Sequence, residues 1–244
     1  MINTIKTVLL KLSGESLTQC SQQGYLGQET PSVTDNYIQN LTEQIKKLLP
    51  THRFAIVIGG GNFFRARYAK QELKLRQPVA DAVGMLATAM NGLILQEYFN
   101  QNGISSVLLS AVPLPSLAKL ISQSAIDDAL TAKKIIIFCG GTGNPYFTTD
   151  TTAILRALQV NTNEVWKATN VDYVYDDDPK INKTCKPLYQ ISYQEIIQRQ
   201  LTFMDLTAIT LAQQHKVKIR FFNAFTPNAL EEVARTPSFG STIL

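Results

Sequence analysis

The sequence predicts an α/β fold: a mostly parallel sheet whose strands are joined by helical crossovers. Short runs of branched and aromatic residues alternate with longer stretches of helical period along almost the whole chain. Several of those runs end directly in glycine, and no stretch reads as a linker that would split the chain. At 244 residues, 45% of them hydrophobic and 17% charged, the chain has enough apolar side chains for a large core. The same numbers exclude a disulfide miniprotein, a collagen and a disordered polyelectrolyte.

Strands are expected at 7–12, 54–58, 107–109, 135–139, 165–167 and 219–222. After the first, the Gln- and Thr-rich piece 18–31 has no periodicity and reads as a surface loop. Ile38, Leu41, Ile45 and Leu48 recur every three or four residues, which predicts an amphipathic helix capped by Asp35. Val79, Val83, Leu86, Met90 and Leu93 repeat the pattern after Pro78, as a face for either a core or an interface. Leu206, Ile209, Leu211 and Ala212 repeat it in a helix starting near Asp205. Region 176–188, with two prolines and several polar residues, is expected to be irregular.

Lys and Arg total 23 against 19 Asp and Glu, a formal charge of +4, and the basic residues are scattered rather than clustered. That balance suits a small anionic substrate better than a nucleic acid. Three cysteines, Cys20, Cys139 and Cys185, and two histidines, His52 and His215, lack metal-ligand spacing, so no protein-held metal is expected. No run of roughly 18 to 20 consecutive apolar residues predicts a membrane span. The N-terminus is too short and interrupted for a signal-peptide core, and a cytosolic location is expected.

Three glycine-rich segments follow predicted strands, where open α/β sheets hold ligands. In Lys11-Leu12-Ser13-Gly14-Glu15, glycine lets backbone approach a ligand and Lys11 offers a point charge to phosphate; the same residues also suit an ordinary turn with a solvated lysine. Gly59-Gly60-Gly61 removes every side chain where backbone N–H groups face an anion, and Arg65 can fork onto a phosphate. The third segment, Gly140 to Asp150, combines turn residues, hydroxyls and an acid opening the next helix. Thr149 or Asp150 can serve there as a helix N-cap, and Tyr146 or Phe147 can line a flat base or simply pack. The P-loop, the dinucleotide-binding glycine fingerprint and the protein-kinase motifs are all absent.

Taken together, these loops resemble the amino-acid-kinase superfamily and, within it, the bacterial uridylate (UMP) kinases. The segment Gly141-Thr142-Gly143-Asn144-Pro145-Tyr146-Phe147-Thr148-Thr149-Asp150 is the most diagnostic. Lys11 to Glu15, Gly59 to Arg65, Ala80-Asp81 with Gly84 to Thr88, Lys167 to Asp172, Tyr175 with Asp178-Pro179, and Met204-Asp205-Leu206 also match. The resemblance implies a three-layer αβα sandwich forming one domain over 1–244, and ATP-dependent phosphorylation of UMP to UDP in pyrimidine biosynthesis, with Mg²⁺ carried by ATP and a homohexameric assembly.

It further implies Lys11, Arg65 and Asp150 as catalytic residues, Asp150 orienting the lysine or the magnesium. Lys11, Leu12, Ser13, Gly14, Gly61, Arg65, Thr169, Tyr175 and Asp178 would meet ATP. Gly60, Asp81, Gly141, Thr142, Gly143, Asn144, Pro145, Tyr146, Phe147 and Thr148 would hold UMP, with Asp81 accepting from the ribose. Two departures stand out: Ala66 follows Arg65 where the family has glycine, and Tyr173 replaces the glycine after Val171-Asp172. The family's Gly-Phe-Gly regulatory loop reads Gly24-Tyr25-Leu26-Gly27. Two other readings stand beside this one: a kinase of the same superfamily acting on a carboxylate or carbamate, and a non-catalytic nucleotide-binding protein on the same fold. The carboxylate kinase is expected to carry an extra basic residue and to lack a base-sized Pro145-Tyr146-Phe147 wall.

Overall fold

The structure, a computed structural model, describes residues 5–17, 35–64, 73–179 and 181–244. Arg65, Ala66, the 18–31 segment with Gly24 to Gly27, and the Asp35 side chain lie outside the described residues. The six expected strands form with slightly wider bounds: β1 Lys6–Leu12, β2 His52–Ile58, β3 Ser106–Ser110, β5 Ile135–Cys139, β6 Glu164–Thr169 and β10 Lys218–Asn223. Five more were not expected: β4 Lys119–Leu120, β7 Val174–Tyr175, β8 Pro187–Leu188, β9 Gln190–Ile191 and β11 Ser241–Ile243. With two or three residues each, they are too short to show a period.

Among the described residues, nine strands make one sheet in the order β4-β3-β5-β2-β1-β6-β10-β11-β9, in which only the β10–β11 pair is antiparallel. β7 and β8 pair separately, so the 176–188 region ends on a small hairpin rather than being irregular throughout.

Alternation along the strands feeds two cores. Leu9, Val57, Phe138 and Val165 face one side, where α3 Gln123–Thr131, α4 Thr149–Gln159, α5 Tyr193–Gln198 and α6 Leu206–His215 pack. Leu10, Ile56, Ile137 and Trp166 face the other, covered by α1 Asp35–Leu48, α2 Gln77–Gln101 and α7 Ala229–Arg235. Helices on both faces of a mostly parallel sheet give the three-layer αβα arrangement.

Ile38, Leu41 and Ile45 are buried, as their spacing predicts. The stripe on α2 is different. Val79, Leu86 and Met90 are exposed, and the helix packs through Ala80, Ala87, Thr88, Asn91, Gly92, Leu95 and Phe99 instead. Small residues win the inward face because the helix lies close against glycine backbone: a Cβ on Gly60 would stand 2.8 Å from the Ala87 Cβ and 2.9 Å from the Gly84 carbonyl oxygen. By length and composition α2 alone among the described helices could cross a membrane, yet this face is committed to the sheet. On α6, Ile209 and Ala212 are buried but Leu206 points out.

Candidate active site

β1 and β6 are neighbours, with Lys11 directly opposite Lys167. Since side chains alternate along a strand, both lysines share the face of Leu9 and Val165, the face that α4 covers. Two ammonium groups so placed repel each other. The first turn of α4 answers with Asp150, whose Oδ1 lies 3.0 Å from Lys11 Nζ and whose Oδ2 accepts a hydrogen bond from Lys167 Nζ at 2.5 Å. The Lys11 contact is an ion pair without hydrogen-bond geometry, so Oδ1 keeps no hydrogen-bond partner of its own. A second donation runs from Lys167 Nζ to the Phe203 carbonyl, 2.8 Å away.

Burial works to raise the Asp150 pKa, but the two lysines outweigh it and hold the carboxyl at about 2. Lys167 moves the other way: burial lowers it, Asp150 opposes that, the nearby Lys11 adds to it, and the result is about 8.

Thr148, not Thr149 or Asp150, caps α4, its hydroxyl accepting from the Asp150 and Thr151 N–H groups. That leaves the Asp150 side chain free to turn toward the lysines. Asp205, the expected start of α6, accepts from the Ala208 N–H as N-cap and also from the hydroxyls of Thr148 and Thr151. One carboxylate therefore fixes the start of two helices.

The glycine loops close around this group. Gly14 approaches Gly59 so nearly that a Cβ on Gly14 would meet the Gly59 carbonyl oxygen at 2.7 Å. The Gly140 N–H donates to Thr88 Oγ1 on α2 at 2.8 Å. Further along the same loop, the Tyr146 N–H donates to Asp81 Oδ2 at 2.8 Å, while Asp81 Oδ1 accepts from Gln77. Tyr146 takes a left-handed φ of 72° and is 70% exposed.

Between these elements lies a cleft of about 340 Å³, within the range of small-molecule sites. Lys11, Ser13, Gly14, Gly60, Gly61, Asp81, Gly141, Thr142, Asn144, Phe147 and Thr148 line it, as do Met85 and Thr88, which were not expected. Asp150 stands behind Lys11. Leu12 is wholly buried in the opposite core, and Gly143, Pro145 and Tyr146 do not line the cleft. The expected aromatic wall thus reduces to Phe147.

Thr169, Tyr175 and Asp178 are not brought into the cleft either. Thr169 ends β6 with its hydroxyl on the Val171 and Phe222 carbonyls. Tyr175 packs edge-on to Tyr173, which packs edge-on to Tyr189, and the Asp178 carbonyl accepts from the Ile181 and Asn182 N–H groups.

Lys167 is the residue that sequence reasoning missed. Its signal was present: a lysine inside the apolar run Val165-Trp166-Lys167-Ala168, as Lys11 stands inside the run 7–12. A charge in a doubly covered strand needs a buried partner.

Residues 6–223 match the amino acid kinase family. The chain belongs to that family. Among amino acid kinases, the uridylate kinase of Haemophilus influenzae is 39% identical over 240 residues, 98% of this chain and 97% of that protein. The crystal structure of UMP kinase from Ureaplasma parvum superposes with a TM-score of 0.89 at 32% identity, covering 98% of both chains. UMP kinase from Bacillus anthracis superposes with a TM-score of 0.88 at 28% identity, over 98% of this chain and 95% of that one. The expected fold class and family are both borne out.

Proposed function

We propose that this amino acid kinase transfers the γ-phosphoryl group of ATP to UMP, giving UDP and ADP. The observation that carries the reading is the Lys11–Asp150–Lys167 group at the carboxyl ends of β1 and β6, beside a cleft framed by glycine loops. Similarity to uridylate kinases over nearly the full chain supports UMP as the acceptor.

In this reading an oxygen of the UMP phosphate forms a bond to the γ-phosphorus while the bond to the β–γ bridging oxygen breaks, and ADP leaves with that electron pair. The acceptor is already ionised at neutral pH, so no general base is needed. The protein's task is to align two anions and cancel their repulsion. Lys11, and Lys167 through the shared carboxylate, place positive charge where it builds up, and loop N–H groups add fixed dipoles. Both Asp150 oxygens are already committed to lysines, which favours a role in orienting those cations over one in holding metal.

Among the described residues no group of three or more His, Cys, Asp or Glu is arranged to cage a metal. In this proposal Mg²⁺ would come with the nucleotide phosphates, where it would supply further charge neutralisation. Arg65 completes the acceptor side in this proposal, with Gly60 and Gly141 to Thr148 around UMP and Asp81 at the ribose. Asp81 spends one bond per oxygen on Gln77 and Tyr146, which leaves a second lone pair on each. Thr169, Tyr175 and Asp178 belong to the adenosine side.

A carboxylate or carbamate kinase is the less supported alternative. Lys167 supplies the extra basic residue expected of such an enzyme, so the basic-residue criterion no longer separates the two, and the weight passes to the similarity. We extend the proposal to one domain over 1–244, supported by the continuous sheet, to a cytosolic role in pyrimidine nucleotide synthesis, and to a homohexamer. The outward stripe Val79, Leu86 and Met90 on α2 supports self-association. Coupled measurement of ADP and UDP from UMP and Mg-ATP tests the activity. Turnover of acetylglutamate, glutamate or carbamate without UMP turnover would sink it, and nucleotide binding without turnover would favour the non-catalytic alternative.

A further inference from the structure

Two buried polar side chains lie behind the cleft with no part in the chemistry so far described. Asn91, in the middle of α2, is fully buried on the face that otherwise carries Ala87, Leu95 and Phe99. A buried amide is costly unless its hydrogen bonds are made. Asn91 Nδ2 donates to the Gly59 carbonyl at 2.7 Å and to Asn62 Oδ1 at 2.7 Å, and its Oδ1 accepts from Asn62 Nδ2 at 3.1 Å.

Arg156, on α4, is only 4% exposed and has no acidic partner among the described residues. Its guanidinium donates to the Gly141 carbonyl at 3.1 Å and to Gln159 Oε1 at 2.5 Å, and sits 5.6 Å from the centre of the Phe138 ring. Nε has no hydrogen-bond partner among the described residues. A buried charge without a counter-ion is expensive to keep.

What the two share is the kind of group they hold: the carbonyl of a glycine in a cleft-lining loop. In a trans peptide the carbonyl of one residue and the N–H of the next point in opposite directions, and the described chain has no cis peptides. Pinning the Gly59 carbonyl on Asn91 therefore directs the Gly60 N–H away from α2. Pinning the Gly141 carbonyl on Arg156 does the same for the Thr142 N–H. Neither N–H has an intramolecular acceptor among the described residues, and Gly60 and Thr142 both line the cleft. The uncompensated charge of Arg156 also adds positive potential behind the second loop.

We infer that Asn91 and Arg156 are positioning residues for the acceptor nucleotide, fixing two glycine carbonyls outward so that the Gly60 and Thr142 N–H groups are presented to its anionic end. The inference rests on the UMP kinase reading. It predicts an asymmetry that general loosening of the fold does not: the acceptor suffers and ATP does not.

Steady-state kinetics of the full chain with both substrates varied, and calorimetric binding of UMP, supply the test. Loss of one oriented charge-assisted contact predicts that Arg156→Met raises KM and Kd for UMP about tenfold, with KM for ATP within about twofold. Arg156→Lys, which keeps a donor for the Gly141 carbonyl, should recover most of the loss. Asn91→Ser should act on the same substrate, and the double variant should multiply the two effects, since the loops are anchored separately. Unchanged UMP parameters in soluble variants with only a lower melting temperature, or parallel rises in both KM values, would overturn the inference. Should Asn91→Ser or Arg156→Met fail to fold, Gln159→Ala decides. It frees the guanidinium without removing it, and the inference requires about a threefold rise in the UMP KM alone. Failure of the underlying reading shows separately, as a wild-type protein that makes no UDP from UMP.

Discussion

At the scale of single residues, the site turns on one carboxylate shared by two lysines. Asp150→Asn removes the only counter-charge that ion pairs among the described residues give Lys11 and Lys167, and leaving buried cations unpaired is expected to cost about 3 kcal/mol in urea unfolding at neutral pH. The pH dependence follows in sign. The Asp150 pKa is depressed in the folded state, so its stabilisation is complete above the ordinary carboxylate value of 3.8 and is lost as pH falls toward about 2. The wild type should therefore lose on the order of 2 kcal/mol across that window, and Asp150→Asn should lack this loss. Lys167 titrates from the other side. With a free-enzyme pKa of about 8 it loses its proton, and its charge, as pH rises through that value. The pH profile of kcat/KM should fall above about 8, and Lys167→Arg, which keeps its charge, should move that limb upward. A profile identical in the two proteins would remove Lys167 from the reaction.

Elements show how sequence and structure diverge. The six long strands were legible as runs of five to seven residues rich in branched and aromatic side chains, and helix α1 because its fourteen residues carry a clear period. α2 was legible as a helix but its face was not, because as far as Gly92 its exposed Val79, Leu86 and Met90 are larger and more apolar than the buried Ala80, Ala87, Thr88, Asn91 and Gly92. Periodicity measures hydrophobicity, whereas close approach to glycine backbone selects for small size. Much of the site was legible as glycine loops at strand ends, yet Lys167 escaped because Asp150 reaches it only once α4 packs on the sheet, and Lys11 stands opposite it only through the β1–β6 register. The N-cap was displaced by one residue for a related reason: Thr148 answers both to its own helix and to Asp205. That junction makes a prediction. Asp205→Ala removes the cap of α6 and the tie to the first turn of α4, and should cost about 2 kcal/mol in thermal or urea unfolding, more than an isolated cap. Thr151→Val, which deletes only the hydroxyl on Asp205, should cost about 1 kcal/mol.

For the whole molecule, the active-site ends of β1 and β6 and the exposed stripe of α2 are parts of one arrangement. α2 offers its buried face to the triple-glycine loop and to Gly140, so the cleft floor is only as well placed as this helix. Its opposite face presents Val79, Leu86 and Met90 to solvent at 39%, 50% and 47% exposure, an apolar stripe about three turns long that a second copy of the chain would cover. If self-association uses this face, the helix that positions the glycine loops is clamped from outside as well as from the sheet. Leu86→Glu combined with Met90→Glu puts like charges one turn apart on the stripe and leaves the inward face untouched. Light scattering should then show the mass of the assembled wild type falling, while thermal unfolding reports whether each chain stays folded. Because α2 carries Asp81 and Asn91, loss of assembly should also raise KM for UMP, and a dissociated variant with wild-type UMP kinetics would uncouple the two faces of the helix.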